Sequence, residues 1–102
     1  MEGHSIISTD VLGSYAADAA REVAGVRGLV ESPLPRHRGV RVVEEDGAVS
    51  VELHLAVDWG ADIVELGRSV QERVRVYLGQ MAEVSPAAID VVVEEFGPAP
   101  AV

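Results

Sequence analysis

The chain has 102 residues, of which 48% are hydrophobic, with 17 acidic and 8 basic side chains and a formal net charge of −9. That suffices for one domain with a modest core, excludes a disordered chain, and disfavours nucleic acid and anionic membrane surfaces, both of which reward positive charge. Without cysteine there is neither a disulfide framework nor a thiolate metal site, and a reducing cytosol is the natural setting.

Met1-Glu2-Gly3-His4-Ser5 has neither the basic region nor the apolar run of a signal peptide. No stretch reaches the apolar length of a membrane span. Ile6-Ile7 reads as a lead-in strand or a hydrophobic anchor. Ser8 or Thr9 caps a first helix, with Asp10 in its first turn and Leu12, Tyr15, Ala16, Ala19, Ala20 and Val23 as its apolar stripe. Gly25 with Val26 reads as its C-terminal cap. Val26 to Glu31 is expected as a short strand, and the two prolines in Ser32 to Gly39 mark a loop. Val40 to Val43 forms the next strand, and Glu45-Asp46-Gly47 a hairpin turn.

From Val49 to Val57 every second residue is large and apolar, alternating with Ser50, Glu52, His54 and Ala56. One face of this strand is therefore buried and the other polar. Asp58 to Ala61 breaks the strand. Asp62, with Glu65 three residues on, opens a long helix whose stripe is Ile63, Leu66, Val70, Val74, Leu78 and Met81. Gly67 beside that stripe suggests a close approach to the sheet. Ser85-Pro86 stops the helix, Ile89, Val91 and Val93 alternate in a last strand, and Gly97 to Val102 is a frayed tail. The expected fold is α+β: a two-layer sandwich of a small mixed β-sheet with two helices on one face, a single domain over residues 1–102 with its ordered core at about 6–96. A parallel pairing of the long and last strands makes the helix between them a crossover.

No residues assemble into a catalytic motif, so no enzyme, cofactor or metal is expected. The histidines lack metal-ligand spacing, and His54 reads as a surface histidine. Glu44, Glu45 and Asp46 read as solvated turn carboxylates. Trp59 reads as a plug over the core edge. Arg36, His37, Arg38 and Arg41 are the only basic concentration and the candidate contact for an anion or a partner; the competing reading is a solvated loop neutralising nearby Glu31, Glu44 and Glu45. Gly25-Val26-Arg27-Gly28 matches the G-x-x-G loop of KH domains. With Arg36 and Arg38 it gives the alternative function, a small KH-like nucleic-acid-binding domain, against which stand the acidic balance and the strand-like residues after Gly28.

The order of motifs resembles the bacterial alkaline shock protein family, the envelope-stress group that includes the Gls general stress proteins. The resemblance covers Ile6 to Phe96. It rests on Ile7-Ser8, on Ala19 through Leu29, on the strand Val49 to Val57 with Trp59-Gly60 and Ile63, on Val70-Gln71 with Val74, and on Ile89 to Val93. Trp59 stands where the family commonly has tyrosine, and extended charged tails are missing. The resemblance implies a cytoplasmic, non-enzymatic scaffold in cell-envelope stress or homeostasis. It implies protein partners, with a membrane-spanning anchor and a second copy of the chain as candidates, and membrane association only through such a partner. It carries no catalytic residues.

Overall fold

The hydroxyl of Ser8 closes the start of the first helix by accepting from the Val11 N–H. The computed structural model describes residues 7–33 and 36–98. Helix α1 (Thr9–Arg21) buries Leu12, Gly13, Ala16, Ala17, Ala19 and Ala20, a thin face that lets the helix lie close to its neighbours. It ends at a Glu22 cap rather than at Gly25. Gly25 instead takes φ +97° in the turn beyond, so the expected glycine cap is replaced by a turn leading directly into β1 (Val26–Leu29). Gly28 therefore lies within a strand and not between two helices, which removes the structural basis for a KH-type loop.

The expected loop contains a short ladder, β2 (Ser32–Pro33) against β3 (Arg36–His37). β4 (Val40–Glu45) and β5 (Ala48–Val57) form a hairpin around Asp46 and Gly47, with φ of 52° and 82°. Positive φ at both central residues is what a tight two-residue hairpin turn demands, and Asp-Gly supplies it. Asp62 caps α2 (Ile63–Ala82) by accepting from the Glu65 N–H. At its other end Glu83 turns left-handed, and the Val84 N–H folds back onto the Leu78 carbonyl. β6 (Ala88–Phe96) is the last strand among the described residues.

β5 is the axis of the sheet. One of its edges pairs in parallel with β6, so α2 is a crossover. Its other edge pairs antiparallel with β4 over the first part and with β1 over the last. The sheet is mixed and both helices cover one face, giving the expected α+β two-layer architecture. Val49, Val51, Leu53, Leu55 and Val57 meet Leu66, Val70, Val74 and Leu78 of α2 and Leu12, Ala16, Ala19 and Ala20 of α1 in one core. The α2 stripe is buried only in its middle, since Ile63 and Met81 are exposed. Gly67 makes no close approach: a methyl group there would meet nothing within 4 Å. Gly97, the first residue of the expected tail, donates its N–H to the Val57 carbonyl, whereas residues 99–102 and Ile6 lie outside the described residues.

Candidate functional site

Alternation along β5 places Ser50, Glu52, His54 and Ala56 on the sheet face away from the helices. On that face His54 is not a free surface residue. Its Nε2 is 2.6 Å from Glu52 Oε2 and its Nδ1 is 2.5 Å from Glu94 Oε2, with the side chain only 12% exposed. Glu52 shares the face because it precedes His54 by two residues, a signal legible in the sequence. Glu94 shares that face by alternation with Asp90 and Val92, and the parallel register that pairs His54 with Val92 brings it to the ring; Leu55 faces Val93 and Ala56 faces Glu95, leaving Glu94 itself as a bulge. Burial pulls the ring's pKa down, but the hydrogen bonds and charges of Glu94 and Glu52 outweigh it and raise the pKa above the ordinary 6.5. A ring donating from both nitrogens is the protonated form.

The backbone of His54 is equally engaged. Its carbonyl accepts from the Val30 N–H and its N–H donates to the Gly39 carbonyl, so the excursion from 31 to 38 leaves and re-enters the sheet at this one residue. Gly39 is compulsory there, with φ +84° and a would-be Cβ 2.6 Å from the Cβ of Leu29. The arrangement clamps β1, β4, β5 and β6 together. It cannot chelate a metal, because the two carboxylates meet different ring nitrogens and do not converge on one point. Among the described residues, no group of three or more histidine or carboxylate side chains is arranged to hold a metal ion.

A second feature lies at the end of β5. Trp59 does not plug the core: it is 56% exposed and meets Phe96, itself 52% exposed, edge to face with centroids 6.3 Å apart. Val64, on the first turn of α2, is 66% exposed. Beside Trp59, Asp58 pairs with Arg27 at 3.6 Å. Sequence reasoning missed this corner because a tryptophan after an amphipathic strand reads equally well as a core lid, and Phe96 comes beside it only through the β5–β6 register.

The predicted basic residues divide. Arg38 and Arg41 are exposed and line a groove of about 660 Å³ between α1 and β4, which they share with Asp10, Asp18 and Arg21. Arg41 also faces Glu52 across the β4–β5 ladder. Arg36 and His37 are placed by backbone alone, in β3, and their side chains lie outside the described residues.

Solved structures share the fold. A MamM C-terminal domain of residues 215–293 superposes with a TM-score of 0.63 at 19% identity, covering 86% of this chain and 99% of that one. A MamM C-terminal domain variant in a manganese form gives a TM-score of 0.62 at 18% identity, again covering 86% and 99%. Another variant, in a zinc form, gives 0.63 at 18% identity over 88% of this chain and 87% of that one. At such identity the likeness is one of fold. No curated protein matches the chain. The profile of the alkaline shock protein 23 family, described by its cell envelope-related function, matches residues 1–97, and the chain belongs to that family.

Proposed function

We propose that the protein is a non-enzymatic interaction module serving bacterial cell-envelope homeostasis or stress, and that it acts by docking protein partners. The family supplies the envelope context. The observation that carries the docking reading is the exposed Trp59–Phe96 pair at the corner of the sheet. An aromatic pair kept in water forgoes burial energy, and Trp is the residue type that most often anchors interfaces. The Arg38–Arg41 groove is a second contact surface on the same molecule, with Arg36 and His37 on the segment leading into it. A partner that spans the membrane would hold this cytoplasmic module at the envelope, and a second copy of the chain is another partner the reading allows.

The experiment compares tagged native protein with Trp59→Ala and Phe96→Ala in pulldowns from native lysate. Both side chains are more than half exposed, so thermal unfolding should change little. Capture of co-purifying proteins should fall in both variants. Undiminished capture by both would discard the aromatic corner and the docking reading built on it.

A further inference from the structure

On the helix-free face of the sheet, near the end of β5, runs a trough of about 720 Å³ lined from Arg27 to Asp58 and Glu95. Two small residues make its floor: Gly28 of β1 and Ala56 of β5 face each other across the ladder, and a methyl group on Gly28 would meet nothing within 4 Å. Both neighbouring strands carry an extra residue at this level. Arg27 is the surplus on β1, between Val26 and Gly28, and Glu94 is the surplus on β6. Paired bulges bend the flanking strands and re-aim their side chains, a device found next to sites more than in plain sheet. Among the described residues the rim carries Glu31, Asp58 and Glu95 against one cation, Arg27, which Asp58 already pairs.

We propose that this trough receives an extended, arginine-bearing segment of a protein partner. The proposal rests on the docking reading above and adds the partner's chemistry. Charge complementarity selects the occupant: an acidic rim on a chain of net charge −9 repels nucleic acid and acidic peptide and attracts guanidinium. An incoming arginine can take Asp58 from Arg27 or pair with Glu95 and Glu31, in each case as a planar fork on a carboxylate. A floor of glycine and alanine lets a peptide backbone lie close to the sheet.

The test uses the whole chain and a synthetic decapeptide alternating arginine and valine, with a glutamate–valine peptide as control. Trp59, the sole tryptophan, reports binding by fluorescence, and amide shifts map the site. The arginine peptide should bind, weaken as salt is raised, and shift the amides of Gly28 and Ala56. Gly28→Val suits a strand and fills open space, so the fold should survive while binding falls about tenfold or more. The double reversal Glu31→Lys with Glu95→Lys should do the same through charge. Equal binding by Gly28→Val, equal binding of the glutamate peptide, or shifts confined to the helices would overturn the proposal. So would concentration-dependent self-association in ultracentrifugation that the same variants abolish, because the occupant would then be a second copy. Lysate capture that needs Trp59 but survives both trough variants would likewise overturn the trough and leave the docking reading intact.

Discussion

At the scale of single residues, the strand face decides what a side chain contributes. Leu53 is fully buried in the common core of both helices and β5, so Leu53→Ala should cost about 2–5 kcal/mol in chemical denaturation. Its neighbour His54 points the other way, yet it is not neutral. Truncating it to alanine removes two charge-assisted hydrogen bonds and leaves Glu52 and Glu94 facing each other, for an expected loss of about 1–2 kcal/mol. The two carboxylates are each more than a third exposed, and solvent screening keeps the figure there rather than higher. A loss under about 0.5 kcal/mol, the mark of an ordinary surface site, would show that the clamp contributes nothing. The pH dependence has a definite sign. With the folded pKa raised above 6.5, the His54 contribution is complete below 6.5 and disappears as pH rises through the folded value. Two carboxylates of the described residues face the ring: Glu52, which sits opposite Arg41 on β4 and Asp90 on β6, and Glu94. The gap in stability between native protein and His54→Gln should therefore narrow with alkalinity, and an imidazole titration midpoint at or below 6.5 would contradict the geometry.

At the scale of elements, what could be read from the sequence is what local rules dictate. Alternation located β5, period and capping located α2, and Asp46-Gly47 located the hairpin, because each of these is decided by residues within one element. The misreadings involve partners that are distant in sequence. Glu94 reaches His54, and Phe96 finds Trp59, only through the parallel β5–β6 register, which spacing along the chain does not encode. Gly25 misled for a related reason: a left-handed glycine serves a helix cap or a turn into a strand equally well, and here its carbonyl accepts from the Asp58 N–H, a partner distant in sequence. The end of α2 offers a test of the same rule. Glu83 holds φ 55°, a conformation that penalises a side chain, in a closure that glycine usually provides. Glu83→Gly should raise stability by about 0.5–1 kcal/mol, seen as a higher urea midpoint at unchanged slope. A lower midpoint would mean that chain entropy outweighs the strain.

At the scale of the whole molecule, charge and its pairing govern what surfaces the protein can meet. Among the described residues no helix is long and apolar enough to cross a membrane. Surface adsorption would need a helix with a basic polar face and an apolar face left uncovered. Neither helix offers one. On α2, Arg73 is held at 2.6 Å by Glu22 of the helix-capping turn, and Arg75 lies 3.6 Å from Glu72. On α1, Arg21 pairs with Asp18. The buried face of α1 and the middle of the α2 stripe are spent on the core, and what that stripe leaves exposed, Ile63 and Met81, lies at its two ends. Arg68 of α2 and Arg38 and Arg41 of the β4 side remain exposed, and such charges attract anionic lipid at about 1 kcal/mol each near the surface, but the rest of a chain with net charge −9 opposes them. The purified protein should accordingly stay in the supernatant when sedimented with vesicles containing phosphatidylserine at physiological salt. On the proposed docking through Trp59, a fraction in native lysate should sediment with membranes and lose that association with Trp59→Ala. Tight binding of pure protein to the vesicles, weakened by Arg38→Ala with Arg41→Ala, would replace the partner-mediated picture with direct electrostatic recruitment through the β4 groove.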